Sequence, residues 1–496
     1  MYTGRKISVV SIIILSICVW LLKLETGDAP SHQEGTSLVL FCAAGIKGPV
    51  AAVAQEYEEL YGVHIQIQYG GSGTLLSNLT ISQIGDLYLA ADQSYIDIAK
   101  QKGLVDEHIA LARQRPVIGV RKGNPKNIQS VHDLLQKDVT LALANPEAAS
   151  IGKQTKIQLE NLHLWTAIEQ QAVVFKPTVM EIANDIKLGT VDAGIIWDAT
   201  ANQYPEIDIV NESEFSIVDK ALSIGVLTSC NKPAAALHFA RYLGARDRGL
   251  LTFKKWGYDP VAGDEWADKP DILLFSGGVN RPAVQITIQE FMDREGVSVS
   301  TVYNGCGILV AQMKAGERPD AYFACDVSFM TQVADVFTDE ENISQTAMVI
   351  VTPKGNPDKV ATLEDLIKPG LQLGMANPKQ SALGALTERL LDEMGIRDSF
   401  MKNVRSQTPT ADLLINQIRT GSLDAVVVYE ANTSQVRDVL EVIPIKHPAA
   451  LAIQPIAAAK NTRYPQLTSR LLQAIRSAKS RERFTSTGFD WLAESE

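Results

Sequence analysis

A chain of 496 residues is too long for a single hydrophobic core and has room for two or more domains. With 46% hydrophobic and 21% charged residues, its balance is that of a soluble globular protein. A formal charge of −11 argues against a nucleic-acid partner, which would favour a basic face, yet leaves a small anion open as ligand, because backbone N–H groups can hold an anion inside an acidic protein.

Arg5 and Lys6 precede an apolar run, Ile7–Leu22, closed by Lys23. Residues 1–35 are therefore expected to be a signal or a membrane anchor. The run is short for a span and long for a signal core, and no small-x-small cleavage site follows it. Its basic flank keeps the N-terminus inside and sends the rest to the periplasmic or extracytoplasmic face of the membrane. Cys18 would carry a lipid only in a signal with Ile17 where a small residue is wanted. The other cysteines are Cys42, Cys230, Cys306 and Cys325; none forms a CxxC pair, so neither a zinc site nor a disulfide framework is expected. Buried free thiols are the plain reading, with one disulfide left open in an oxidising compartment.

From Ser37 onward, β-rich runs alternate with amphipathic helical ones. SLVLFCA (Ser37–Ala43), PVAAVAQEYEELYG (Pro49–Gly62), VHIQIQY (Val63–Tyr69) and VTLALAN (Val139–Asn145) set the pattern. That alternation predicts an α/β fold with parallel sheets and right-handed crossovers.

The chain then repeats itself. KGNP at Lys122–Pro125 returns at Lys354–Pro357, ANP at Ala144–Pro146 returns at Ala376–Pro378, and VDAGIIWDA (Val191–Ala199) matches LDAVVVYEA (Leu423–Ala431). YGGSGTLL (Tyr69–Leu76) pairs with YNGCGILV (Tyr303–Val310), and GDLYLAADQSYI pairs with PDAYFACDVSFM, aligning Asp92 with Asp326. Five motifs in one order establish a tandem duplication. The expected units are residues 36–261 and 270–492, with the acidic stretch 262–269 as linker. Each unit is long enough for two α/β lobes with a cleft between them. FARYLGARDRGLLTFKKWGYDPV (Phe239–Val261) reads as a helical pair packing back on the first lobe.

Three loops of the first copy join a strand end to a helix start: CAAGIKGP (Cys42–Pro49), YGGSGT (Tyr69–Thr74) and ANPEAASIG (Ala144–Gly152). Helix N-termini expose unpaired N–H groups, and glycine lets a ligand approach the backbone. Each loop alone is an ordinary strand–helix turn. Three per copy, recurring in the second copy, point to a shared cleft at the carboxyl ends of the strands.

The segments SGTLL after a YGG turn, GDLYLAADQSYIDIA, ANPEAASIG, VDAGIIWDA and FKKWGYDP make each copy resemble the periplasmic molybdate-binding proteins of bacterial ABC transporters, over nearly the whole family length. The resemblance implies two tandem units of the type II periplasmic-binding-protein fold, each of two α/β lobes with a hinge and a cleft. In that family two serines, two backbone amides and a tyrosine hydroxyl hold a tetrahedral anion without a countercharge. Carried over, the first-loop serine falls on Gly45, the second serine on Ser72, the amides near Ile151 and Val179, and the tyrosine on Trp197. In the second copy these positions fall on Gly278 or Val279, Cys306, Leu383, Ala411 and Tyr429. Each copy thus keeps a different fragment of the family's donor set. Lys47 and Arg281, in the first loops, either supply a charge-assisted bond or are solvated side chains at a helix start. Asp198 and Glu430 follow the aromatic position, and a carboxylate facing the cleft would repel an oxyanion.

The resemblance implies a solute-binding protein for molybdate or tungstate that serves an ABC permease; the apolar run 7–22 adds a membrane tether, and no cofactor, metal site or catalysis is expected from the residue patterns. Two further readings stand beside it: a degenerate module that senses or docks without transport, and a receptor for sulfate, phosphate or a small organic anion. The seven histidines form no HxH or HExxH pattern, and no GxSxG or Walker A sequence appears. The porphobilinogen-deaminase family uses similar lobes with a cofactor on a loop cysteine, which would single out Cys306; Ser72 holds that position in the first copy.

Overall fold

The computed structural model describes residues 37–210 and 220–494. The expected N-terminal membrane segment and Cys18 lie outside the described residues. Among the described residues no helix is long and apolar enough to cross a membrane.

Strand β1 (Ser37–Ala43) buries Leu38, Leu40 and Cys42 completely and runs parallel to β2 (His64–Gly70) and β3 (Leu87–Ala90), with Ser37 opposite His64 and Leu40 opposite Leu87. The helix Lys47–Tyr61 returns from β1 to β2, and its buried Val50, Val53, Ala54 and Tyr57 recur at helical spacing. Strand β4 (Val105–Gln114) then leads out of this lobe into β5 (Pro116–Arg121) of a second one. There β6 (Leu141–Ala144), β7 (Ala172–Lys176), β8 (Ala193–Trp197) and β9 (Ile207–Val210) complete a sheet of order β7-β6-β8-β5-β9. The chain returns through β10 (Lys220–Leu227) and β11 (Asp259–Pro260), giving the first sheet the order β11-β4-β10-β3-β1-β2.

The sheets are mixed, which corrects the expectation of wholly parallel ones. β10 lies antiparallel to β3 and β4, and β5 lies antiparallel to β8 and β9. A strand that leaves one lobe to enter the other cannot also follow the crossover direction of both sheets. The expected helical pair is present as Pro233–Leu243 and Gly249–Lys255, both packed on the Lys47–Tyr61 helix.

The second copy repeats this order with β12 (Asp271–Gly277), β13 (Ser298–Asn304), β14 (Ala321–Phe323), β15 (Glu341–Pro353), β16 (Leu373–Ala376), β17 (Val404–Thr408), β18 (Ala425–Tyr429), β19 (Leu440–Pro444), β20 (Leu451–Ala458) and β21 (Asp490–Trp491). One difference stands out. β15 runs unbroken through both lobes and joins them in a single sheet, whereas the first copy breaks between β4 and β5. Pro116 has no N–H to give at the break; Met348, at the equivalent place in β15, donates its N–H to Ala450 O at 2.9 Å.

The two copies meet through the helices Pro233–Leu243, Arg281–Glu295 and Pro465–Arg476. Residues 262–269 are packed rather than loose. The Asp264 carboxylate accepts the first-turn N–H groups of Gln466 and Leu467 at 2.7 and 3.0 Å, and the Trp266 ring stands edge-on to Tyr242 at 4.9 Å.

Candidate functional site

In each copy the carboxyl ends of the strands in the two lobes face one another across a small cleft. The first is lined by the loop Ala43–Gly45, by Gly70, Gly71 and Ser72, and by Ala91, Ala149, Ser150, Ile151, Thr178, Val179 and Trp197, around a cavity of about 20 Å³. All five positions marked in the first copy thus lie together. Three of them open helices: Ser72–Ser82, Ser150–Asn161 with Ile151 in its first turn, and Val179–Leu188. First-turn N–H groups have no acceptor within their own helix; those of Gly73 and Thr74 go to Ala148 O of the other lobe, and the remaining ones of the three helices face the cleft from both lobes.

Ser72 is held firmly. Its Oγ accepts the Ala91 N–H at 3.2 Å, which leaves the hydroxyl proton free, and its carbonyl accepts the Tyr88 hydroxyl at 2.8 Å. A Cβ on Gly45 would stand 2.8 Å from Val179 Cγ1, so a side chain here would require Val179 to shift. Trp197 is buried. Thr200, which sequence reasoning missed, has a buried Oγ1 without a hydrogen-bond partner, 3.6 Å from the point where a Cβ on Gly45 would sit.

The second cleft, again about 20 Å³, is lined by Gly278, Val279, Asn304, Gly305, Cys325, Ser381, Leu383, Pro409, Thr410, Ala411, Asp412, Tyr429 and Asn432. Gly278, Leu383, Ala411 and Tyr429 are therefore together; Cys306 is fully buried just behind the wall, where its Sγ accepts the Cys325 N–H at 3.0 Å. The shared element order resolves the first-loop ambiguity: Val279, not Gly278, stands opposite Gly45. The Tyr429 hydroxyl is buried with no partner, and burial, with Cys325, Asp326 and Cys306 nearby, holds it well above the usual tyrosine range. It therefore remains a donor at any ordinary pH. Asn304, Asp412 and Asn432 were also missed. Asn432 donates to Asp412 at 3.2 Å and keeps a buried Oδ1 unpartnered, while burial raises the Asp412 carboxyl. For two of them the signal was present as positions polar in one copy and not in the other: Asn304 against Gly70, and Asp412 against Met180.

The lobes are closed on one another. Gly73 and Thr74 donate N–H groups to Ala148 O at 2.9 and 3.2 Å, and Lys153 Nζ reaches Ser94 Oγ at 3.1 Å across the first cleft. Gly307 donates to Gln380 O at 3.0 Å in the second. A Cβ on Gly71 would lie 2.3 Å from Ala148 O, and one on Gly305 2.3 Å from Gln380 O. The glycines shared by YGGSG and YNGCG are thus the places where the lobes touch.

The flanking charges point elsewhere. Lys47 and Arg281 are exposed and lie over the rings of Tyr69 and Tyr303, at 5.3 and 5.4 Å. Asp198 pairs with Arg115 at 3.4 Å and Glu430 with Arg437 at 2.6 Å. No lysine or arginine lines either cleft among the described residues.

The model of the bacterial extracellular solute-binding protein family matches residues 38–259 and again residues 272–490. The molybdate-binding protein ModA of Mycobacterium bovis is 26% identical over 232 residues, covering 46% of this chain and 87% of its own length. The same protein of Mycobacterium tuberculosis aligns with equal identity and coverage. Among solved structures, the periplasmic molybdate-binding protein of Azotobacter vinelandii aligns with a TM-score of 0.39 at 16% identity, over 45% of this chain and 98% of its own.

Proposed function

The chain belongs to the bacterial extracellular solute-binding protein family, and from that premise we propose that each repeat closes its two lobes around one tetrahedral oxyanion, molybdate or tungstate. The binding units are residues 36–261 and 270–492. The chain works at the extracytoplasmic face of the membrane and hands its ligand to an ABC-type permease.

One observation carries the reading. In both clefts helix N-termini from opposite lobes converge on a cavity whose lining holds no lysine or arginine, at Ser72, Ile151 and Val179 and at Cys306, Leu383 and Ala411. Such a site favours an anion through oriented N–H dipoles and rejects cations. The donor lost at Gly45 has a local substitute in Thr200, whose buried hydroxyl has no partner, whereas Asn432, at the same position of the second repeat, keeps a buried Oδ1 that can only accept. The molybdate-binding relatives support the choice of anion.

Calorimetry of the chain against molybdate, tungstate, sulfate and phosphate tests the proposal. Binding of molybdate or tungstate at micromolar Kd or tighter is expected. Silence across the panel overturns it and favours the second reading, a docking or sensing module, which the departures at Gly45, Trp197 and Cys306 support.

A further inference from the structure

The second cleft differs from the first at three positions that touch. Ala43, Ser72 and Ala91 of the first copy are Gly277, Cys306 and Cys325 in the second, each pair holding the same place in its repeat. The backbone geometry is kept: Ala91 N–H donates to Ser72 Oγ, and Cys325 N–H donates to Cys306 Sγ at 3.0 Å. Two small atoms have become two sulfurs, and the third residue has shrunk to accommodate them. A Cβ rebuilt on Gly277 would stand 2.2 Å from Cys325 Sγ and 3.2 Å from Cys306 Sγ, so one vacant methyl position touches both sulfurs. Relief of volume at one neighbour would be needed for either sulfur; both sulfurs sharing it means that they face each other. The Cys306 side chain beside it, together with burial, raises the Cys325 thiol well above its ordinary range.

We propose that Cys306 and Cys325 form a reversible disulfide in the wall of the second cleft, so that this cleft, unlike the first, is set by thiol redox state. Both side chains are buried, but Cys325 lines the cleft and Cys306 stands behind it. Lobe opening therefore presents Cys325 first. Opening also relieves the burial that suppresses its ionisation. The Cys325 thiolate then attacks one sulfur of a small disulfide such as oxidised glutathione, and one thiol leaves with the proton that Cys325 gave up. Cys306 then attacks the mixed disulfide at Cys325, and the second thiol leaves with the proton from Cys306. Two protein thiols are oxidised and the small disulfide is reduced to two thiols. The bridge removes the only S–H that Cys306 could offer from the Ser72 position, and this consequence for ligand binding rests on the anion-binding reading above.

The test uses the full chain, reduced and then exposed to oxidised glutathione, denatured in alkylating reagent and digested with trypsin. Lys314 lies between the two cysteines, so a bridge appears as two cross-linked peptides. The cross-link is expected in the parent, reversed by dithiothreitol, and lost in both Cys306→Ser and Cys325→Ala. Recovery of Cys306 and Cys325 as alkylated thiols after exposure overturns the proposal, whether or not any anion binds. Oxidation should also weaken molybdate binding at the second cleft at least tenfold in the parent and leave Cys325→Ala unaffected. An equal affinity in both redox states would overturn the control of the cleft.

Discussion

Arg470 donates to Glu295 through Nε at 2.6 Å and through Nη2 at 3.1 Å, in a bidentate pair buried where the two repeats meet. Arg241, from the first repeat, adds Nη1 to the same carboxylate at 3.2 Å. Burial alone would raise the Glu295 carboxyl, but Arg470 and Arg241 hold it below its ordinary range. Removing one member of such a group leaves an uncompensated buried charge, at a cost of about 3–5 kcal/mol. Glu295→Gln should lower the urea midpoint accordingly. Replacing Arg241, Glu295 and Arg470 together by apolar residues should cost much less. Equal losses would show that packing rather than charge holds this joint.

Tyr429 separates binding from stability. Its hydroxyl has no protein partner, so Tyr429→Phe should leave the unfolding midpoint unchanged or slightly raised. If the hydroxyl donates to an anion, the same change should weaken the second cleft by about 10–100-fold. Calorimetry beside thermal unfolding distinguishes the two; an unchanged affinity would remove Tyr429 from the site.

Ser72 should behave differently, because its Oγ already serves the Ala91 N–H. Ser72→Ala strands that buried donor as well as the ligand, so stability should fall by about 1–3 kcal/mol while the first cleft loses affinity. Titration of the second cleft should not change. Loss of affinity at both clefts would mean that the repeats do not bind independently.

Much of this is legible in the sequence, and the reason is periodicity. SLVLFCA matches β1 residue for residue, and the repeated YGGSG and YNGCG motifs mark the lobe contacts because glycine alone fits there. What escaped were relations between residues far apart in sequence. The antiparallel return of β10 depends on the lobe crossing, which no local pattern encodes. Thr200 and Asn432 gain interest only because their oxygens are buried and unpartnered, and the partner of Asp264 at Gln466 lies 202 residues further along the chain.

His108 gives the fold a pH dependence. Burial, then Lys100 and Arg470, push its imidazole down to about 4. The unfolded chain takes up a proton near pH 6.5 that the folded chain refuses until about pH 4, so stability is full above 6.5 and declines as pH falls between those values. The loss is on the order of 2 kcal/mol after allowing for partial exposure. Burial also raises carboxyls such as Asp264 and Asp412 above their ordinary range, so the difference between parent and His108→Gln is what isolates the imidazole. That difference should narrow as pH falls from 6.5 towards 4, and parallel stability curves would contradict the assignment.

Gly71 should control closure of the first cleft. A Cβ there meets Ala148 O at 2.3 Å and Pro177 O at 2.5 Å, both backbone atoms of the opposite lobe, so no side-chain rotation can relieve the contact. Only parting of the lobes can. Gly71→Ala should therefore fold normally, keep Ser72 on its own lobe and lose the donors at Ile151 and Val179 from the far side. Affinity at the first cleft should drop at least a hundredfold, and small-angle scattering should show less contraction on adding molybdate than in the parent. Gly305→Ala repeats the experiment in the second cleft, where Gln380 O and Pro409 O stand at 2.3 and 2.6 Å. Gly278→Ala is the control, since its Cβ would meet nothing nearer than Asn304 O at 3.9 Å. If Gly71→Ala binds and contracts like the parent, lobe closure is not what completes the site.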